Sequence, residues 1–236
     1  MTTVGILGTG RMAVRIADQL IKNGHTVLLG SRTPERAMVI ASKLDAGRVA
    51  GTSYEQAMQA PYVLPAVFVR DGAFDIVRRH AAQLDGKTVI DILNPFDHTY
   101  TDFLLPWDTS AGEQLAGLLP NSKVVGMFKN IFWETFENPR FAQGYSDVYV
   151  VGDDAEAKQR VTALFAKSPF NFVDGGGLKN ARIVERMTLF ASELGSRYGY
   201  LPRVGWAFLG EPWVAGEHDR YRDLVARLGA ARADHR

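Results

Sequence analysis

The chain has 236 residues, 46% hydrophobic and 22% charged, with a formal net charge of +1 at pH 7. That balance suits an ordinary globular protein and gives no bulk electrostatic reason to expect nucleic acid or an anionic membrane as partner. The absence of cysteine excludes disulfides, thiolate metal sites and a cysteine nucleophile. The longest apolar run, Tyr62–Val69, is short of the ~20 residues that a membrane span needs. No signal pattern precedes the first strand, so the expected location is the cytoplasm.

The first apolar run, Val4–Leu7, reads as a buried strand. It leads into Gly8-Thr9-Gly10-Arg11-Met12-Ala13, a G-x-G-x-x-A turn. A helical pattern follows (Met12, Ile16, Leu20, Ile21) and stops at Asn23-Gly24, after which Thr26–Leu29 reads as a second strand. A strand, Gly-rich turn, helix and strand in this order hold a dinucleotide pyrophosphate on the helix N-terminus. Gly8 supplies the tight turn, Gly10 lets phosphate approach the backbone, and Ala13 lets helix and strands pack closely. Thr9, Arg11 and Met12 complete the expected binding turn.

The end of the second strand selects the dinucleotide. An NAD site usually carries Asp or Glu there. This chain has Gly30-Ser31-Arg32-Thr33, with no acid before Glu35. A hydroxyl and cations suit a 2′-phosphate, which a carboxylate repels. NADP(H) is therefore the expected cofactor, with Ser31, Arg32 and Arg36 on the phosphate and Thr9 assisting. The bland reading, Ser31 as a helix cap and the arginines in water, is compatible with this.

Pro34–Leu44 reads as a helix with Thr33 as N-cap. A short strand is expected at Val49, and a helix over Ser53–Ala60 with a Ser53/Gln56 capping pair. Tyr62–Val69 reads as a buried strand, in which Pro65 has no evident explanation. Val67 and Phe68 close that strand, and ligands of doubly wound sheets lie over such ends, so both are placed near the nicotinamide. A helix over Asp71–Leu84 and a strand over Lys87–Leu93 lead to Asn94-Pro95. Asn94 is read equally as a ligand of the nicotinamide end and as an Asx turn before proline. A loop with His98, Tyr100 and Trp107 precedes a helix over Ser110–Leu118.

These elements predict an α/β fold, a Rossmann-type doubly wound parallel sheet over residues 1–121. A smaller C-terminal α/β segment with a helical tail is expected over 122–236. It has strands at Lys123–Phe128, Val148–Val151 and Phe170–Asp174, and helices over Ala155–Lys167 and Leu178–Tyr198. The tail holds Trp206, Phe208 and Trp213 and ends in an amphipathic pattern (Tyr221, Leu224, Val225, Leu228). The long helix and the aromatic stretch make a homodimer the expected assembly.

Seven blocks carry a resemblance. They are GILGTGRMA (Gly5–Ala13), GSRTPERA (Gly30–Ala37), AVF (Ala66–Phe68), DILNP (Asp91–Pro95), KVVGMFKNI (Lys123–Ile131), VGDDAEAK (Val151–Lys158) and VDGGGLKNARIVE (Val173–Glu185). From Val4 to Leu209 the chain resembles the coenzyme F420-dependent NADP oxidoreductases and the cytoplasmic reductase domain of the STEAP metalloreductases. The resemblance implies hydride transfer between NADPH and a flavin or deazaflavin, with coenzyme F420 or FMN/FAD as acceptor. It assigns Thr9, Ser31, Arg32 and Arg36 to the 2′-phosphate, and Val67 and Phe68 to the nicotinamide ribose. It assigns the acceptor pocket to Met127, Phe128, Asn130, Ile131, Trp206 and Phe208. Lys129 stands where the archaeal enzymes have histidine, and Phe132-Trp133 is bulkier than usual. The departures fall in the acceptor half.

No Ser-His-Asp pattern and no metal-ligand cluster appears among the five histidines (His25, His80, His98, His218, His235). Hydride transfer needs stacking and orientation more than an acid or base. Lys129 is the one candidate catalytic side chain, with a surface lysine as its bland counterpart. One alternative is an NADP-dependent reductase of a small carbonyl or imine, with Lys129, Tyr145 or Tyr198 as proton donor. Another is a non-enzymatic NADP(H) sensor.

Overall fold

The computed structural model describes residues 1–212, 223–226 and 230. Trp213, His218, Tyr221, Leu228 and His235 lie outside them, so the expected tail pattern is described only at Leu224 and Val225, both exposed and helical.

The first elements are β1 (Thr3–Leu7), α1 (Arg11–Lys22), β2 (Thr26–Gly30), α2 (Pro34–Leu44), β3 (Val49–Thr52) and α3 (Tyr54–Ala57). They continue with β4 (Tyr62–Pro65), α4 (Ala73–Arg79), α5 (Ala81–Leu84), β5 (Thr88–Asp91), α6 (Ala111–Leu118) and β6 (Lys123–Gly126). The six strands form one parallel sheet in the order β3-β2-β1-β4-β5-β6. Both faces are covered, so strand interiors are continuous apolar runs: Val4, Ile6 and Leu7 in β1, Val63 and Leu64 in β4, Val89 and Ile90 in β5. The strand order reverses between β1 and β4, and the crevice there is where such sheets bind ligands.

The expected boundary at 121/122 falls before β6, yet β6 pairs with β5 from Thr88–Lys123 to Asp91–Gly126. The sheet thus runs one strand past that boundary. The helix expected over Asp71–Leu84 is a 3-10 turn (Val69–Asp71) followed by α4 and α5, broken at His80 (φ −114°, ψ 17°). Ser53 and Gln56 form the expected capping box. Thr33 caps α2 without a side-chain bond; its N–H donates instead to Ser31 Oγ at 3.1 Å.

The sheet also explains Pro65. Ala66 N–H donates to Leu7 on β1 (2.8 Å), so by strand alternation the preceding N–H position faces β5. The β4–β5 pairing ends at Val63–Val89. Pro65 therefore lacks a donor where the ladder has already opened.

The remaining elements are α7 (Trp133–Glu137), a hairpin of β7 (Arg140–Phe141) and β8 (Gly144–Tyr145), β9 (Asp147–Val150), α8 (Ala155–Ala163), β10 (Asn171–Asp174) and α9 (Ala181–Tyr198). Strands β9 and β10 pair in parallel. They join the large sheet through an antiparallel bridge between Gly126 and Val151, bonded both ways at 2.8 and 3.0 Å. Phe128 knits the two parts. Its ring meets Phe165 (4.9 Å), Phe136 (5.3 Å) and Phe170 (5.7 Å), in the same core as Val4, Ile6 and Ile16. No helix among the described residues is long and apolar enough to cross a membrane.

Candidate functional site

The Gly-rich turn opens the site. Gly8 sits at φ +137°, and a Cβ there would lie 2.5 Å from Ala66 O, so only glycine fits. Its N–H is held by Gly30 O at 2.9 Å, which ties the turn to the end of β2. A Cβ on Gly10 would meet nothing within 4 Å, leaving the backbone open to a ligand. Gly10 caps α1 without a side chain, and the first turn holds no acid. The first helical bond runs from Val14 N–H to Gly10 O (3.1 Å). The N–H groups of Arg11, Met12 and Ala13 therefore have no helical acceptor, and they fit a pyrophosphate. The guanidinium groups of Arg11 and Arg15 lie against the Trp133 ring at 5.2 and 5.1 Å.

Beside this turn, at the ends of β2 and β3, lies a pocket of about 270 Å³. Ser31, Arg32, Tyr54, Glu55, Arg79 and His80 are among its walls. Ser31 is buried, its N–H bonded to Thr52 O at 2.9 Å. Burial pushes the Tyr54 phenol above its ordinary value against the opposing pull of Arg32. The Glu55 carboxyl is held below its ordinary value, first by a backbone N–H and then by Ser53. His80 Nε2 lies 3.7 Å from Glu55 Oε1, placing a second ionisable group beside that carboxylate. Ser31 and Arg32 thus line the same pocket. Arg36 is exposed on the first turn of α2, outside these walls, and Thr9 is half-buried in the Gly-rich turn. Sequence reading missed Arg79 and His80. They stand at the C-terminal end of α4 and at the break that follows it, which an unbroken helical pattern conceals.

At the other end, Ala66 touches the Gly8 turn and delivers Val67, half-buried, and Phe68, exposed. Asn94 Nδ2 donates to Lys129 O at 2.7 Å. Its Oδ1 is buried and lacks a partner among the described residues. The Asx turn is made three residues earlier, by Asp91 Oδ1 on Leu93 N–H (2.8 Å). Pro95 is buried and its carbonyl accepts Leu104 N–H at 2.7 Å.

Lys129 is interior, with none of its surface exposed, which corrects the surface-lysine reading. Its ammonium pairs with Asp91 Oδ2 (2.6 Å) and Glu185 Oε1 (2.9 Å) and donates to Leu93 O (2.6 Å). Burial opposes the ammonium, but the two carboxylates outweigh it and raise the Lys129 pKa. Burial raises that of Glu185 against the pull of Lys129. Glu185 also accepts the N–H groups of Ala111 (3.0 Å) and Gly112 (3.3 Å) at the start of α6.

Met127, Phe128, Asn130 and Ile131 are equally interior. Phe128 has φ +56°, which turns its ring into the core, and Asn130 bonds Asp147 O and Tyr149 N–H. The expected acceptor pocket is therefore not lined by these four side chains. Trp206 is half-buried and stacks on Phe190 (6.1 Å, 24°), and Phe208 is exposed.

The doubly wound sheet and its open Gly-rich turn define a Rossmann-type protein with the turn that binds dinucleotides. Residues 3–95 match the family model described as NADP oxidoreductase, coenzyme F420-dependent. Over 187 residues the chain is 33% identical to Metalloreductase STEAP3 of Rattus norvegicus, 79% of this chain and 36% of that protein. Over 207 residues it is 28% identical to the F420-dependent NADP reductase of Methanocaldococcus jannaschii, 81% of this chain and 91% of that protein. A solved structure of a putative F420-dependent NADP reductase from Arthrobacter superposes with a TM-score of 0.72 at 26% identity, covering 84% of this chain and 96% of that one. The resemblance thus holds along most of the chain, while the chain spans about a third of the length of the metalloreductases it matches.

Proposed function

We propose that the protein is an NADPH-dependent oxidoreductase that transfers hydride between NADPH and a flavin-type acceptor, coenzyme F420 or FMN/FAD. The observation that carries the cofactor half is the pocket where Ser31 and Arg32 face Arg79 and His80. A 2′-phosphate finds a hydroxyl and cations there, and the Glu55 carboxylate has His80 beside it. The N-terminus of α1 holds the pyrophosphate. Asn94 Oδ1, an acceptor without a partner among the described residues, receives an N–H or O–H from the nicotinamide end. NADPH supplies the hydride from its nicotinamide C4. The chain's task is to orient the two rings and exclude water, which needs no acid or base of its own.

Coenzyme F420 as acceptor is supported by the similarity to F420-dependent NADP reductases. The carbonyl or imine alternative needs a proton donor, and its candidates are poorly placed: Lys129 is enclosed in its ion pairs, and Tyr145 and Tyr198 are exposed on β8 and at the end of α9. Apolar side chains exposed on α9 and beyond (Ile183, Phe190, Phe208) support a homodimer, testable by sedimentation.

The test is anaerobic NADPH consumption by purified protein with coenzyme F420, FMN and FAD offered separately. Rapid turnover with one of them is expected. Tight NADPH binding with no turnover on any would overturn the proposal.

A further inference from the structure

We propose that Phe68, Arg70 and Tyr100 form the stacking surface for the acceptor, and that this acceptor is a flat aromatic ring system bearing negative charge. The inference rests on the hydride-transfer reading above. Two segments build the cluster: the turn after β4 and the loop between β5 and α6. The first starts at Ala66, against Gly8, so the cluster begins two residues from the dinucleotide turn. Met127, Phe128, Asn130 and Ile131 are enclosed, whereas rings beside the turn are open to an acceptor. Phe68 is 43% exposed and Tyr100 47% exposed, and they meet edge to face at 6.0 Å.

Arg70 fixes both. Its guanidinium lies over the Phe68 ring at 4.1 Å and the Tyr100 ring at 4.3 Å. It donates to Asp97 O (2.6 Å), Phe96 O (3.3 Å) and the Tyr100 hydroxyl. Phe96 backs Tyr100 at 5.7 Å. Asp97, on the same loop, has its carboxylate engaged by Thr99 and Thr101. Tyr100 is held at φ +60°, where residues other than glycine are uncommon. The loop thus keeps a strained residue in place to hold a half-exposed ring against a cation. Flat π-systems stack on such rings, and the guanidinium favours a negative charge on the ring system or its phosphate.

The test uses Y100N, because asparagine tolerates positive φ while removing the ring, with Y100G as a second ring-free variant. FMN and coenzyme F420 serve as acceptors, and NADPH affinity and Tm are followed in parallel. Loss of the stacking ring is expected to raise KM for the acceptor about fivefold, with kcat, NADPH Kd and Tm little changed, and Y100F is expected to restore KM. Unchanged KM in both ring-free variants would overturn the proposal. So would Y100F behaving like Y100N, which assigns the effect to the hydroxyl's hold on Arg70. Wild-type protein that binds NADPH yet reduces neither acceptor removes the hydride reading itself, and the platform with it.

Discussion

Lys129 shows how one residue can be found in a sequence and misread. Its place where the archaeal enzymes it resembles have histidine marks it as a candidate. Its burial is invisible because its partners, Asp91 and Glu185, lie far away in the chain. K129M leaves two buried carboxylates without their cation, which costs about 3–5 kcal/mol. A denaturant midpoint measures it, and the triple variant D91N/K129M/E185Q should recover much of the loss. Catalysis in K129M is expected to fall only as far as Asn94, held by the Lys129 carbonyl, loses its place. Gly8, by contrast, is legible: the G-x-G-x-x-A spacing marks it, and its φ of +137° and contact with Ala66 explain it. G8A is expected to lose about 1–3 kcal/mol from strain, more with the clash, and to weaken NADPH binding in a titration.

Among the elements, local signals located β1, α1, β2 and α2, because period, caps and punctuation all agree there. Pro34–Leu44 is a helix over the bounds its sequence sets. The break at His80 was not legible, since apolar spacing continues through it. Nor was the place of β6, because a buried strand has the same pattern in either unit. Helix α6 depends on distant partners as well. Its N-terminal N–H groups donate to the Glu185 carboxylate, which caps it, and a Cβ on Gly112 would come within 2.9 Å of Asp91 Oδ2. Its Glu113 is bonded twofold to Arg182 (2.6 and 2.8 Å). Arg182, with Ser110, holds the Glu113 carboxyl below its ordinary value. A carboxyl with a lowered folded pKa contributes stability above the ordinary carboxylate range, and that contribution is lost as pH falls through the folded value. E113Q is therefore expected to flatten the acid limb of a Tm-against-pH curve and to lower Tm at neutral pH. A variant curve parallel to wild type would contradict this.

At the scale of the molecule, sheet and C-terminal segment share one core through Phe128 and the Gly126–Val151 bridge. The described residues are accordingly expected to unfold in a single transition, with secondary-structure and tryptophan signals coincident; separated transitions would show that the two parts are independent. The same continuity explains why the acceptor half was the less legible one. Four of its expected lining residues, Met127, Phe128, Asn130 and Ile131, are buried where the two parts join, whereas Arg70 and Tyr100 become a pair only when two segments meet. The cofactor half depends more on short-range features, such as the Gly-rich turn and the Ser31-Arg32 pair, which are adjacent in sequence. The most direct measurement is kcat/KM for NADPH against NADH, in wild type and in R32A, with the preferred acceptor. A preference for NADPH that falls about tenfold or more in R32A, through loss of NADPH use alone, is expected from a charge-assisted phosphate contact. Equal use of the two cofactors by wild type, or an R32A variant with unchanged preference, would contradict the assignment of the Ser31–Arg32 pocket to the 2′-phosphate.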